Sequence, residues 1–408
     1  MPPAPSAPGA IPVLLYAQLV GLSERHAVTV VTVAGPEPHE FEAVRRLAAT
    51  GVDVHAIERP EPHGRARWAR RRRFAGAWLR GRWPFRTVWF WQPDIQPVLD
   101  RLAAERSFDV VAAEDNAMGI YRLPGGAVHA LTEYEVRRPR AVRRPPLSPR
   151  EWPRWALDEA DWSRWPRYQR AVWRRFDLLQ VFSDRDADAM RAVAPELSRR
   201  IHVNPFGIAL PPPAETSVEP ETVVFLGNYT HPPNVEAALW LGRAIMPRLR
   251  RLRPGVRLAL AGAYAPAEVH ALASTDISVL GYVSDAEALL RRSAVVMAPV
   301  RIGGGMRMKV LHAMALGKAV VTTPRGTDGL ATAERVPPLA VADDEESMAR
   351  LTAQLLADAG AREKLGAAAR RYVEEHHSPQ AYARRLEALY TSAIDERRRS
   401  VPASRIGG

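Results

Sequence analysis

Two patterns of apolar residues alternate along the chain. Short apolar runs are typical of buried strands, and longer segments with an apolar residue every three or four positions are typical of amphipathic helices. This alternation predicts an α/β protein with parallel sheets. The predicted strands are Val28–Val33, Asp53–Ile57, Asp109–Ala113, Val128–Leu131, Leu178–Phe182, Ile201–Asn204, Thr222–Leu226, Val256–Ala261, Ile277–Leu280, Ala294–Ala298, Ala319–Thr323 and Leu339–Ala342. The predicted helices are Glu40–Ala49, Ile95–Arg106, Arg185–Val193, Asn234–Arg251, Asp285–Arg291, Glu345–Ala357, Ala361–His376 and Gln380–Glu396.

A proline-rich segment divides this pattern into two halves. PFGIALPPPAETSVEPE, which starts at Pro205, has the composition of a stiff, extended linker. The predicted divisions are a first Rossmann-like domain over 1–205, a linker over 206–220, a second such domain over 221–378, a helix over 379–396 that packs back on the first domain, and a disordered tail over 397–408. Two α/β domains joined in this way imply a cleft facing the carboxyl ends of both sets of strands.

The segment after strand Ala294–Ala298 has the composition of an anion site. Gly303, Gly304 and Gly305 leave backbone amides uncovered, and Arg307 and Lys309 follow them. A helix that begins just after such glycines directs its positive end toward the same place. The alternative is a tight turn in which the glycines serve only sterics. Three glycines and two cations at the carboxyl end of a strand favour a phosphate or diphosphate site.

The helix after the glycines decides which side chains can act together. Residues two apart on a helix do not share a face. Arg307 and Lys309 can therefore reach one phosphate only if Arg307 lies in the loop, and otherwise only one of them is a ligand. Lys309 and His312, three apart, do share a face. The helix is predicted from apolar residues at helical spacing, namely Met306, Val310, Ala313 and Met314. Gly317 predicts where it ends.

Composition limits the class of protein. The chain has 408 residues, 47% of them hydrophobic, which suits two or three globular domains. No apolar run has the length of a membrane span, and the proline-rich start lacks the basic region of a signal peptide. The sequence has no cysteine, so disulfides and thiolate metal sites are excluded, and a reducing cytoplasm fits.

The net charge of +12 is concentrated in two belts of arginine and tryptophan, Arg65–Arg86 and Arg137–Arg175. Such belts suit an anionic membrane surface, where arginine meets lipid phosphate and tryptophan lies at the level of the headgroups. The alternative is a solvated helix whose aromatic side chains turn inward. Nucleic acid is not expected as a partner, because the sequence contains no nucleic-acid-binding motif.

Three segments together resemble a known family. VFSDRDADAMRAVAPELSRRIHVNPFGI (181–208), VVFLGNYTHPPNVEAALWL (223–241) and the stretch from GYVSDAEALL to PRGTDGL (281–330) resemble retaining nucleotide-sugar glycosyltransferases of family 4, group 1. The resemblance is strong over the second half and loose over the first. It implies the GT-B fold, two Rossmann-like domains facing a cleft, and transfer of a sugar with retention and without an obligatory metal or other cofactor.

The resemblance also implies roles for individual residues of the second half. Gly227 and Asn228 match the loop that approaches the donor phosphates. Gly303–Gly305, Arg307 and Lys309 match the diphosphate loop. Asp328 and Gly329 match the loop near the donor sugar, although Asp328 is equally well explained as a turn aspartate.

The sequence departs from the family pattern in two places. Members carry two glutamates eight apart, and here those positions hold Gly304 and His312. The second glutamate contacts the nucleotide ribose; a histidine can still bond a hydroxyl or, when protonated, a phosphate. At the other end, Met1 falls where the family's first strand ends. PPAPSAPGA is similar to the loop after that strand, so the first domain is expected to lack this strand and Gly9 to form a weakened half-site.

Acceptor contacts are expected from the first domain. Glu114 and Asp115 follow one predicted strand, and Glu133 and Glu135 follow the next. All four lie where the cleft is predicted. The alternative for each is a surface carboxylate paired with an arginine.

The resemblance implies transfer from a nucleoside diphosphate sugar to a glycan or lipid-linked glycan, in cell-envelope polysaccharide or glycolipid synthesis. The expected location is the cytoplasm, including the inner face of the plasma membrane. Two alternatives stay open. His312 and the missing strand suggest a non-catalytic protein that binds nucleotide or a partner, and an epimerase can share this fold.

Overall fold

Contacts divide the chain into two units, which are described separately. In the computed structural model, the first unit comprises Met1–Phe206 with Tyr382–Gly408, and the second comprises Gly207–Ala381. The structure describes residues 2–4, 10–59, 72, 75–76, 78–80, 83–138, 142, 144–145, 148–214, 216–303, 307–331 and 335–400.

The first unit alternates helices and strands. Its elements up to the second unit are α1 (Ala10–Ser23), β1 (Thr29–Ala34), α2 (Pro38–Ala48), β2 (Asp53–Glu58), α3 (Phe85–Phe90), α4 (Ile95–Glu105), β3 (Val110–Glu114), β4 (Val128–Thr132), α5 (Trp152–Trp173), β5 (Leu178–Val181), α6 (Asp184–Val193) and β6 (Ile201–Val203).

The strands of the first unit form two parallel sheets. β1 pairs with β2, and β3, β4, β5 and β6 form a second sheet in that order. Within the described residues no strand joins β1 to β3, and α1 is the first regular element. The core under the larger sheet contains Trp165 and Trp173 of α5 against Leu179 of β5.

The second unit contains the remaining elements. They are β7 (Glu219–Leu226), α7 (Pro232–Trp240), α8 (Met246–Leu252), β8 (Arg257–Ala261), α9 (Ala267–His270), β9 (Ile277–Gly281), α10 (Ala286–Arg292), β10 (Ser293–Ala298), α11 (Met308–Ala315), β11 (Ala319–Thr322), β12 (Ala340–Val341), α12 (Glu345–Ala357), α13 (Ala359–His376) and α14 (Pro379–Ser400), which belongs to the first unit from Tyr382 onward.

The six strands of the second unit form one parallel sheet in the order β12-β11-β10-β7-β8-β9. Every residue of β10 is buried, and so are residues 222–225 of β7. Near-continuous apolar runs of this kind are typical of parallel strands covered by helices on both faces. The chain leaves β7 toward β8 on one side and later returns to place β10 on the other, so β7 and β10 border the switch in strand order.

The α/β architecture with parallel sheets is confirmed, and most predicted elements agree with the structure to within two residues. Three of the predicted boundaries differ from those of the structure. The predicted helix 234–251 is interrupted by a π turn at Leu241–Ile245, and Pro247 follows it. β7 begins at Glu219, so residues 219 and 220 belong to the strand rather than to the linker, and Glu219 pairs with Ser293 of β10. The last helix reaches Ser400, so residues 397–400 are helical rather than a disordered tail, and 401–408 lie outside the described residues.

Candidate functional site

The candidate site lies at the carboxyl ends of β7 and β10, the neighbouring strands at the switch in strand order. Open α/β sheets bind ligands at this position, because the loops that leave the two strands diverge and open a crevice. The helices that follow, α7 and α11, begin at the same edge and direct their amino ends toward it. The two loops, 227–231 and 299–307, therefore carry the polar groups that matter.

The loop after β7 is held in a defined shape. The Asn234 side chain donates a hydrogen bond to the Asn228 carbonyl at 2.6 Å. The Asn228 side-chain oxygen accepts from the Thr230 amide at 3.0 Å. A side chain at Gly227 would come within 2.9 Å of the Asn234 side chain, so only glycine fits there. Asn234 lies in the first turn of α7, after Pro232 and Pro233, a favoured setting for a helix start.

The loop after β10 turns at Gly303. Its φ of +90° is in the region that glycine adopts without strain, and an added Cβ would approach Pro233 to 2.6 Å. The loop thus packs closely on the start of α7. The other two glycines of the predicted diphosphate loop, Gly304 and Gly305, lie outside the described residues, as does Met306.

Arg307 lies before α11 rather than inside it, which answers the question raised by its spacing from Lys309. Its backbone is not helical, with φ −86° and ψ 49°. The guanidinium is 6% exposed; it donates to the Arg325 carbonyl at 2.8 Å and contacts Asp328 Oδ2 at 3.2 Å. A further bond of 3.4 Å reaches the Gly303 carbonyl. Arg307 therefore ties the loop after β10 to the loop after β11.

Lys309 joins the starts of α7 and α11, the two helices that follow the loops after β7 and β10. Its ammonium donates to the Asn234 side-chain oxygen and lies 4.7 Å from the centre of the Phe225 ring on β7. Burial, with repulsion from Arg307 as a smaller cause, lowers the pKa of Lys309 to about 7. An ammonium that is poorly solvated and close to a second cation is an electrostatic site for an anion.

The loop after β11 contributes Asp328 and Gly329. Asp328 pairs with Arg307, and Gly329 has a φ of +77° that favours glycine. The Arg325 side chain, on the turn just before, donates to the Gly303 carbonyl at 3.3 Å. Asp328 thus acts within the site as a partner of Arg307.

His312 is half-buried on α11, one turn beyond Lys309. Burial lowers the pKa of His312, with an opposing influence from Glu287 and a smaller lowering by Arg291, both on α10. The helix face itself agrees with the prediction: Val310, Ala313 and Met314 are buried. Gly317, with φ +69°, ends this segment as predicted.

Two of the acceptor candidates in the first unit, Glu114 and Glu133, are held by hydrogen bonds within that unit. Glu114 accepts hydrogen bonds from Tyr134 at 2.9 Å and Thr132 at 3.3 Å, and burial raises the pKa of its carboxyl. Glu133 is 1% exposed and accepts from Trp173 at 2.8 Å. Burial, and then the charge of Asp115, raise the pKa of Glu133. Neutral donors hold both carboxyls, which favours a structural role for them.

Of the other three site residues predicted in the first unit, the structure describes Asp115 and Glu135. Asp115 has a φ of +79° and caps the turn after β3, where its carboxylate accepts from the Ala117 amide at 2.9 Å. Glu135, which is exposed, pairs at 3.1 Å with Arg137, whose side chain is mostly buried. Gly9 lies outside the described residues.

The structure describes most of the second arginine and tryptophan belt but little of the first. Most of Arg65–Arg86 lies outside the described residues. In the second belt Trp165 and Trp173 are buried, while Trp152 is 51% exposed at the start of α5.

None of the helices in the described parts of the chain combines the length and hydropathy of a transmembrane span. Among the same residues, no cluster of three or more histidine or carboxylate side chains could hold a metal ion.

Part of the second unit matches a known protein family. Residues 220–358, from the start of β7 to the end of α12, match the sequence model of the family described as glycosyl transferases group 1. That range contains Gly227, Arg307, Lys309 and Asp328. A comparison with curated protein sequences gives no match.

Three of the solved structures that are similar to this chain align with 90% or more of it. HepE from Anabaena, in complex with UDP and glucose, has a TM-score of 0.61 at 13% identity, over 95% of this chain and 97% of that one. Sucrose-phosphate synthase from Thermosynechococcus elongatus has a TM-score of 0.57 at 14% identity, over 90% and 100%. A glycosyltransferase from Rickettsia africae has a TM-score of 0.53 at 12% identity, over 90% and 99%. The fold is therefore GT-B, and the family match supports a glycosyltransferase.

One residue of the site was not predicted from the sequence. Asn234 bonds both the Asn228 carbonyl and the Lys309 ammonium, so it connects the loop after β7 to α11. The available signal was its place directly after two prolines at a helix start, where a polar side chain is free to turn back toward the preceding loop.

Proposed function

We propose that this protein transfers a sugar from a nucleoside diphosphate donor to an acceptor hydroxyl, with retention at the anomeric carbon. The observation that carries this proposal is Lys309, an ammonium of lowered pKa that bridges the starts of α7 and α11 at the switch point. The group 1 family match over the same residues supports it, and so do the UDP complexes of HepE.

Departure of the nucleoside diphosphate is the difficult step, because negative charge develops on the leaving phosphate. The Lys309 ammonium, the amides at the start of α11 and the Arg307 guanidinium lie where they can stabilise that charge. Preorganised donors of this kind contribute about 3–4 kcal/mol each to transition-state stabilisation. We propose that these groups suffice without a metal ion, and that Arg307 acts partly by positioning the loop.

A donor screen tests the proposal. The protein is incubated with a panel of nucleoside diphosphate sugars, and release of the diphosphate is measured with the anomeric configuration of the product. Release from at least one donor, lost in Lys309→Ala, is the expected result. Binding of nucleotide without any release would instead support the non-catalytic alternative, which His312 in place of a glutamate favours.

Nucleoside diphosphate binding should weaken as the pH rises above about 7. The ammonium form of Lys309 meets the phosphate, and its pKa in the free protein is about 7. Below that value the proton is already present; above it, binding must take one up, so affinity falls by up to about tenfold per pH unit. Calorimetry at several pH values measures this. Lys309→Arg, which stays charged, should flatten the profile, and a flat wild-type profile would contradict this role of Lys309.

The acceptor is proposed to be a glycan or lipid-linked glycan at an anionic membrane surface, in envelope polysaccharide or glycolipid synthesis. Trp152, Arg154 and Leu157 are each exposed within the first two turns of α5, where they could contact such a surface. Cosedimentation with anionic vesicles should decrease in salt of about 150 mM and in Trp152→Ala, but not in Leu252→Ala. Equal sedimentation with neutral and anionic vesicles would exclude this attachment.

A further inference from the structure

Two tyrosine side chains are strongly exposed at the edge of the sheet that carries the candidate site. Tyr264 follows β8 and is 75% exposed, and Tyr282 follows β9 and is 77% exposed. A single exposed aromatic residue needs no explanation. Two of them at the ends of adjacent strands, on the edge where such sheets bind ligands, suggest a common use.

The backbone presents both tyrosines outward. Tyr264 itself has a φ of +62°, which is uncommon for a residue with a side chain. Tyr282 follows Gly281, which has a φ of +65°. A Cβ atom added at Gly281 would have no other atom within 4 Å. Position 281 therefore has space for a side chain, and glycine is favoured there by its left-handed backbone conformation. This turn sets the direction in which Tyr282 leaves the strand.

Hydrogen bonds connect these turns to the loop after β7. The Gly227 amide donates to the Ala261 carbonyl at 2.9 Å, and the Tyr229 amide donates to the Ala263 carbonyl at 3.0 Å. The Gly262 amide donates to the Gly281 carbonyl at 2.7 Å, and a side chain at Gly262 would collide with the Gly227 carbonyl. The ends of β7, β8 and β9 thus form one continuous, closely packed edge.

The spacing of strands relates the tyrosines to the phosphate site. Neighbouring strands lie about 4.8 Å apart, so the ends of β8 and β9 are about 5 and 10 Å from the end of β7. In a nucleoside diphosphate the ribose separates the base from the phosphates. With the diphosphate between the loops after β7 and β10, a nucleotide that extends along the edge toward β9 brings its base to the tyrosines.

We propose that Tyr264 and Tyr282 form a stacking surface for the base of the donor nucleotide. The inference rests on the proposed nucleotide-sugar site and specifies its base-binding part. Aromatic stacking tolerates any base, because every base has a flat π face. The donor's base is therefore held mainly by contact area at this edge, and we expect the site to discriminate weakly among bases.

The test compares Tyr264→Ala and Tyr282→Ala with wild type in calorimetric titrations of UDP, ADP and inorganic pyrophosphate. Loss of a stacking partner should weaken binding of both nucleotides about 5- to 100-fold and leave pyrophosphate binding unchanged. Tyr282→Phe, which keeps the ring, should bind like wild type. Leu252→Ala, an exposed position just before β8 at the opposite end of the strand, is the matched control.

The outcomes separate the two proposals. If both alanine variants bind nucleotides like wild type while Lys309→Ala does not, the stacking surface is wrong and the phosphate site stands. If wild type binds neither nucleotides nor pyrophosphate, the proposed function fails with it. Equal weakening of nucleotide and pyrophosphate binding would mean that the substitutions disturb the edge, and would also overturn base stacking.

Discussion

Lys309→Ala should reduce the affinity for nucleoside diphosphates about 100-fold or more, the largest effect expected on binding. The substitution removes a charge-assisted hydrogen bond to phosphate from a poorly solvated position, where such a bond is strongest. It also removes the side chain that joins Asn234 to α11. Titration calorimetry of wild type and variant with the same diphosphate measures the change.

Lys364→Ala is the matched control, since it removes the same charge from an exposed position on α13 in the same unit. It should bind like wild type. The Lys309→Ala variant should unfold at the same temperature as wild type or at a higher one, because the ammonium it removes is held at a cost in solvation. Equal affinity of Lys309→Ala and wild type would remove the basis of the proposed site.

Arg307→Ala should have the largest effect on stability, a loss of about 1–3 kcal/mol in the free energy of unfolding. The guanidinium is 6% exposed and bonds two carbonyls and the Asp328 carboxylate. Its removal takes away one donor from each of these acceptors, although the Gly303 carbonyl keeps its bond from Arg325, and the loss of a buried donor costs about 1–3 kcal/mol. Asp328 is partly exposed, so water recovers part of that loss. Urea unfolding measures the difference.

Arg301→Ala is the control in the same loop. Arg301 is exposed and pairs with Glu236, and exposed ion pairs contribute about 0–1 kcal/mol. In the Arg307→Ala background, a further Asp328→Asn should restore part of the lost stability, because it removes the uncompensated charge. If Arg307→Ala unfolds at the same urea concentration as Arg301→Ala, Arg307 does not hold the two loops together.

The sequence pattern was sufficient for the second unit and less so for the first. Strands such as β10 are uniformly apolar, and helix α12 has a clear period, so Glu345–Ala357 was predicted residue for residue. Three described helices of the first unit, α1, α3 and α5, escaped prediction. α1 is apolar around its whole circumference, and α5 mixes tryptophan and arginine without a regular stripe, so neither shows the period of an amphipathic helix.

The sequence likewise predicted only some of the residues of the candidate site. Glycines and cations after a strand are visible in one segment, so Gly303, Arg307 and Lys309 could be selected from spacing alone. Their partners could not, because Asn234 is 75 residues from Lys309 and Asp328 is 21 from Arg307. Such contacts depend on how separate loops meet at a sheet edge. Burial of Glu114 and Glu133 was likewise hidden, since both follow strands as exposed ligands also do.

A crystal structure of the protein with a bound nucleoside diphosphate tests the central claim most directly. We predict that the diphosphate lies between the loops after β7 and β10, with the Lys309 ammonium within hydrogen-bonding distance of a phosphate oxygen. A nucleotide bound elsewhere on the chain, with Lys309 still held by Asn234 and remote from every phosphate, would contradict the claim.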